Sequence, residues 1–170
     1  MPEYRIGEVV LDVPRDAVLI DTNVLVERFY PGADEERREV AQFILEEAER
    51  QPLIPTAVVI ETWGWLVGSR KAFDAGYELL TWLNNPGRAT IVPPHRPDVQ
   101  GTQELIRRLR VDCVDAMLAE LATDISDRCD LKPWVPIATF DTKDFTRMTR
   151  ALGMRLSILD LRTLEEFQIG

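Results

Sequence analysis

The sequence predicts an α/β domain built as three α/β/α layers around a central, mainly parallel sheet, and three observations carry that prediction. Short apolar runs alternate with longer helical patterns, the rhythm of strand–helix–strand units. Two apolar runs, Leu19-Ile20-Asp21 and Ala138-Thr139-Phe140-Asp141, stop at an aspartate, as strands do whose carboxyl ends line a crevice. The 170 residues, 45% hydrophobic and 29% charged, contain no repeat, low-complexity tract or long linker, so residues 1–170 read as one domain with its own core.

Each element follows from local pattern. Met1 to Asp16 reads as an N-terminal extension whose first twelve residues alternate polar and apolar. Ala17-Val-Leu-Ile20 is a short buried strand. Asp34 to Arg50 carries Val40, Phe43, Ile44 and Ala48 at helical spacing, and Pro52 and Pro55 close it. Thr56 is the expected N-cap of a helix through Val59, Ile60, Trp63 and Val67 that ends near Gly68. Lys71 to Leu83 predicts another helix, Ala89 to Val92 a strand, and Pro93-Pro-His-Arg-Pro97 a stiff loop. Helical periodicity returns over Val99 to Arg110 and again from Asp112 to about Cys129. Val135 to Phe140 and Leu156 to Leu159 are the late strands. The tail, residues 160–170 with Leu161, Leu164 and Phe167, is expected to carry a brief helix near Leu164. The extension reads as an added edge strand and the tail as a capping helix, or both as surfaces for a partner.

Charge narrows the function. Twenty Lys and Arg stand against 29 Asp and Glu, a net −9, which excludes a broad basic face for nucleic acid; any such contact must be local. Two cysteines, Cys113 and Cys129, and the single His95 are too few for a His/Cys metal cage. The cysteines read as small apolar residues of a reducing compartment. No basic segment followed by an apolar run marks a secretory signal, and the longest apolar stretch, Thr56 to Gly68, is broken by Glu61 and too short to span a bilayer. The expectation is a cytoplasmic protein without membrane contact.

Four acids sit against apolar sequence. Asp21 and Asp141 end strand runs, Glu61 interrupts Ala57-Val-Val-Ile-Glu-Thr-Trp63, and Asp115 precedes Ala-Met-Leu-Ala on an amphipathic helix. Each has a structural alternative: Asp21 can cap the following helix and Asp115 can favour the start of its own through the helix dipole. Glu61 has the weakest alternative, since a mid-helix glutamate among apolar residues is costly unless paired or bound to a cation. Converging carboxylates without Lys or Arg repel one another, which raises a pKa or demands a divalent ion, and oxygen-only donors select hard ions such as Mg²⁺ or Mn²⁺.

Asp21-Thr-Asn-Val-Leu, Glu61 within a helix, Asp115-Ala followed by Leu-Ala, and Ala138-Thr-Phe-Asp-Thr-Lys-Asp-Phe145 resemble the ordered motifs of the PIN-domain family, particularly its VapC-type toxins. The resemblance covers about Ala17 to Leu159. It implies a metal-dependent ribonuclease, the toxin half of a toxin–antitoxin pair, with Asp21, Glu61, Asp115 and Asp141 as catalytic metal ligands. Asn23 and Thr139 would be supporting polar groups, and Asp144 would match a less uniform position of the closing motif. Asp112, one turn before Asp115, is a rival ligand. The family further implies an RNA substrate, a small antitoxin partner and a homodimer.

One or two Mg²⁺ or Mn²⁺ ions on such oxygens would lower the pKa of bound water and stabilise charge on the scissile phosphate, so no side-chain nucleophile is needed. No phosphate-cradling glycine loop or nucleophile elbow is present, and His95, in its proline-rich loop, reads as a surface residue. Arg107, Arg108 and Arg110 upstream of Asp115, and Lys143, Arg147 and Arg150 after Asp141, are candidate contacts for phosphates or for an acidic or C-terminal antitoxin segment; the alternative is a solvated helix face. Trp63 and Trp65 flank Glu61 and can stack on a base, although Trp63, one turn from Ile60 and Val67, fits core packing better. Two other classes remain: a PIN-like scaffold that binds protein or RNA without cutting, and a metal-dependent phosphatase. The phosphatase normally has a second aspartate two residues after the first, where this chain has Asn23.

Overall fold

The structure is a computed structural model that describes residues 1–94 and 96–170, and the side chains of all of these but 96–98. Its centre is the run Ala17–Ile20 (β3), every residue of which is buried. Beside it lie Gln51–Pro55 (β4) and Pro136–Thr139 (β6), both parallel to it, with Leu19 opposite Leu53 on one side and Ile137 on the other. Thr90–Val92 (β5), Leu156–Asp160 (β7) and Glu165–Ile169 (β8) complete a six-stranded sheet of order β5-β4-β3-β6-β7-β8, in which only β8 is antiparallel. Strands buried on both faces read as continuous apolar runs, as β3, β6 and β7 do.

The helices are Thr22–Phe29 (α1), Glu35–Gln42 (α2), Thr56–Trp63 (α3), Phe73–Leu83 (α4), Arg96–Leu109 (α5), Cys113–Arg128 (α6) and Lys143–Leu152 (α7). From β3 the chain steps outward through β4 to β5 with α1–α4, then crosses back to β6 and on to β7 with α5–α7. Right-handed crossovers put the two sets of helices on opposite faces, which gives the three layers expected. The direction of travel reverses between β3 and β6, and a crevice opens at the carboxyl ends of strands on either side of such a reversal. Both aspartates that end strand runs stand there.

Two helices run on as π-helical turns, α2 through Phe43–Glu47 and α3 through Gly64–Ser69. The second widens the helix just after Glu61, a device often found at functional sites. Helix α4 closes on it through Gly76, where a Cβ would come within 2.5 Å of Val67 and 3.0 Å of the Trp63 ring. Trp63 packs edge-on against Phe73, centroids 6.1 Å apart.

The structure corrects several local expectations. Gln51–Pro55 is a strand, although Pro52 and Pro55 read as breakers; Pro52 pairs only with β3 and Pro55 only with β5, so each sits where a single neighbour runs beside it. Thr56 lies inside α3 rather than capping it, and its hydroxyl donates to the Val92 carbonyl at 3.1 Å. The stiff loop expected over residues 93–97 gives way to α5, which begins at Arg96 with Pro97 in its first turn, where a missing N–H is tolerated. The expectation for His95 lies outside the described residues.

Neither terminus takes the form expected of it. The extension forms a separate antiparallel hairpin, Glu3–Ile6 (β1) and Val9–Asp12 (β2), turning at Gly7 with φ of +59°. Tyr4 of the hairpin is fully buried and its hydroxyl donates to Asp124 of α6. The tail supplies the added edge strand: Glu165-Glu-Phe-Gln-Ile169 alternates with period two and pairs with β7, so no helix forms near Leu164.

Candidate active site

Asp21 leaves β3 at its carboxyl end and caps α1, one carboxylate oxygen accepting from the Thr22 amide at 2.6 Å. Its other oxygen accepts from the Thr139 hydroxyl at 2.7 Å and the Asn23 amide at 2.8 Å. The capping role and the site role therefore coexist in one side chain. Thr139 also accepts from the backbone N–H of Asp141 at 3.0 Å, and Asn23 accepts from that of Phe140 at 3.1 Å. These bonds tie the end of β3 to the end of β6 and fix Asp21 and Asp141 on neighbouring strands.

Glu61 projects from α3, and Thr22 donates its hydroxyl to it. Asp115 lies in the first turn of α6, whose N-cap Asp112 accepts from the Val114 amide at 2.8 Å. The four acids meet in a cavity of about 350 Å³ lined also by Thr22, Asn23, Val26, Trp65 and Asp112. Among the described residues, five carboxylates and no Lys, Arg or His line it. Burial pushes the Asp21 carboxyl up to about 6 against the pull of its hydrogen bonds, and the Glu61 charge adds to the rise. Burial likewise pushes Asp115 up to about 8, helped by the charges of Asp21, Asp112, Asp144 and Glu61.

The residue set suits a hard divalent ion, because the donors are all oxygen and no cation among the described residues of the lining relieves their mutual repulsion. Among the described residues no three His, Cys, Asp or Glu side chains are already gathered as a cage. Asp21 and Glu61 instead turn oxygens to Thr22, Asn23 and Thr139, so they would exchange some of these bonds for the ion.

The remaining candidates lie outside the lining of this cavity. Asp144, in the first turn of α7, pairs with Arg147 at 2.9 Å, and Arg147 also donates to the Leu109 carbonyl at 2.6 Å. Arg107 and Arg108 pair with Glu104 on their own helix at 2.9 and 3.9 Å, and Arg110 follows α5 in the left-handed region. Lys143 opens α7, its amide donating to Asp141 at 3.0 Å. None of these cations lines the acidic cavity.

Two contributions escaped sequence reasoning. Thr22 holds Glu61 across 39 residues, which only the packing of α1 on α3 creates. Arg70 lies over Trp65, 4.7 Å from its ring centroid, while Trp65 packs edge-on against Tyr30 at 5.0 Å. The π-helical turn brings these residues together, and no regular spacing announces it.

The PIN domain family profile matches residues 18–151, the segment that contains every acid of this cavity. The chain belongs to the PIN-domain family. Solved PIN-fold structures share its architecture at low identity. The sarcin–ricin loop cleaving toxin VapC20 of Mycobacterium tuberculosis is 15% identical with a TM-score of 0.60, over 76% of this chain and 94% of that one. A toxin–antitoxin complex from Klebsiella pneumoniae gives 21% and 0.52 over 75% and 89%, and FitAcB from Neisseria gonorrhoeae gives 19% and 0.54 over 86% and 99%. At these identities the likeness establishes the fold. No curated protein sequence matches the chain. No helix among the described residues of this PIN domain is long and apolar enough to cross a membrane.

Proposed function

We propose that this PIN domain is a Mg²⁺- or Mn²⁺-dependent endoribonuclease, acting in the cytoplasm as the toxin of a toxin–antitoxin pair. The observation that carries the reading is the cavity at the β3/β6 reversal, where Asp21, Glu61, Asp115 and Asp141 converge with no basic residue among the described ones. These four carboxylates are the groups that would hold the ion, with Asp112 beside them. A bound divalent ion supplies charge neutralisation and Lewis acidity to phosphodiester hydrolysis. The chain's own part is positional: Asn23 and Thr139 orient Asp21, Thr22 orients Glu61, and the Asx-type turn at Asp141 sets that carboxylate at the mouth. The toxin role rests on the likeness to toxin structures and brings with it a small protein antitoxin and a homodimer.

The test is cleavage of a random-sequence single-stranded RNA pool with Mg²⁺, Mn²⁺ or a chelator. Divalent-dependent cleavage that falls by about 100-fold or more in Asp21→Asn and in Asp141→Asn is expected, the scale of losing a group that stabilises transition-state charge. Cleavage that survives the chelator or both substitutions overturns it. The bonds that already occupy Asp21 and Glu61 favour one other reading, a scaffold that binds without cutting; it wins if Asp21→Asn leaves partner binding intact and no cleavage is found in the parent chain. Co-purification from the native host followed by sedimentation reads out the antitoxin and the dimer.

A further inference from the structure

The turn between β7 and β8 closes a second cavity of about 350 Å³ beside the acids. Phe140 lines it and the next residue, Asp141, lines the acidic cavity, so consecutive residues line the two cavities. Val40 of α2 with Leu161 and Leu164 of the turn form apolar walls, and Arg37 and Arg162 supply two guanidinium groups.

Both guanidiniums are held yet have capacity to spare. Arg37 lies over the Phe140 ring, 5.7 Å from its centroid, with Nη1 donating to Glu27 at 3.1 Å. Arg162 forks onto Asp160 at 3.0 and 2.7 Å and reaches the Thr142 hydroxyl, next to Asp141, at 3.3 Å. About half of each side chain is exposed. Leu164 is exposed and sits at φ of +59°, a conformation that a leucine adopts only under strain and that glycine or asparagine would fill freely. Keeping a leucine there preserves an apolar wall. Residues 161–164 lie beyond the 18–151 matched by the family profile.

An apolar slot with a stacked guanidinium plane and a second guanidinium toward the cleavage centre matches one nucleotide of a single strand: the base slides between the walls and its phosphate meets the arginine. Asp34 and Glu36 at the rim offer acceptors to exocyclic amines. An apolar protein side chain would fill the walls and leave both guanidiniums unused. We propose that this cavity is a nucleotide subsite that seats the residue adjoining the cleaved bond and gives the nuclease its base preference. The proposal rests on the ribonuclease reading for its place in the reaction, not for binding itself.

The test is a titration of the full chain, in the presence of Mg²⁺, with AMP, GMP, CMP and UMP, followed by NMR. At least one mononucleotide is expected to shift the signals of Leu161 and Leu164, with Arg162→Gln weakening it about tenfold, the loss of one charge-assisted hydrogen bond. In the cleavage assay, Leu164→Trp, which fills the slot from the surface, is expected to flatten a base preference at one position flanking the cut. Native spectra of both variants confirm folding. No shift up to about 10 mM of any mononucleotide overturns the subsite even if RNA is cut. Equal shifts with inorganic phosphate alone, or a response to an apolar peptide in place of nucleotides, overturn it as well. Mononucleotide binding without RNA cleavage supports the subsite and removes the nuclease reading.

Discussion

Asp115 shows what gathering carboxylates in a partly buried cavity imposes on a protein. Its carboxyl is pushed up to about 8 and that of Asp21 to about 6, chiefly by burial. Both bind their proton more tightly folded than unfolded, so their contribution to stability is fully present below about pH 4 and is lost as pH rises through 6 and then 8. The metal-free chain is therefore expected to melt at lower temperature at pH 8.5 than at pH 5. Asp115→Asn should raise the metal-free midpoint at pH 8.5 by roughly 4–8 °C, corresponding to about 2 kcal/mol, while abolishing the gain that Mn²⁺ gives the parent chain. Calorimetry with and without Mn²⁺ decides it; an unchanged midpoint sinks the account. Thr139 is the complementary case, a buried hydroxyl bonded to Asp21, Asn23 and the Asp141 amide. Thr139→Val keeps the volume and orphans those partners, so a loss of about 1–3 kcal/mol in urea unfolding is expected. The acids were legible because each stands against apolar sequence. Thr22 was not, because its partner Glu61 is brought to it only by helix packing.

At the scale of elements, Asp112 joins local structure to the site. It caps α6 through the Val114 amide and also lines the acidic cavity, where its charge helps raise Asp115. Two substitutions separate these roles. Asp112→Asn keeps a capping oxygen and removes the charge, so Asp115 should titrate at lower pH with the helix intact. Asp112→Ala removes both, and should add a cap loss of about 1 kcal/mol. An Asp115 titration followed by carbon NMR that is unmoved in either variant would refute the coupling. The strands that sequence pattern missed, β4 and β8, failed for different reasons. The prolines of β4 are admitted by the stagger of its neighbours, which is information held in other strands. In β8 only Phe167 and Ile169 carry the period-two signal, too short a run to tell a strand from the brief helix expected near Leu164. Rhythm along the chain revealed the α/β class; which strands lie together at the reversal is a property of crossing connections that no local window contains.

For the whole molecule the net charge of −9 takes on a location. The four proposed ligands and Asp112 account for five of the 29 acids, and without them the excess over 20 basic residues falls to four. The rest of the chain is thus close to balanced, and five of the nine net negative charges stand where a divalent ion would neutralise them. That distribution predicts how RNA should bind. A protein gripping the backbone with a basic face loses affinity steeply as salt rises, by roughly 0.7 in the logarithmic slope for each phosphate neutralised on a single strand. Among the described residues, several cations near the site are already paired: Arg147 with Asp144, Arg162 with Asp160, Arg37 with Glu27. With Mg²⁺ held constant, single-stranded RNA binding to Asp141→Asn, which should not cut, is expected to show a shallow slope of about −1 to −2 between 50 and 300 mM KCl. Chelation of the divalent ion should weaken binding at every salt concentration, because the cavity then presents five carboxylates to a phosphodiester. Fluorescence anisotropy measures both. A slope steeper than about −4 would require a broad basic surface, and with it a substrate held by its backbone rather than by a metal centre and one neighbouring nucleotide.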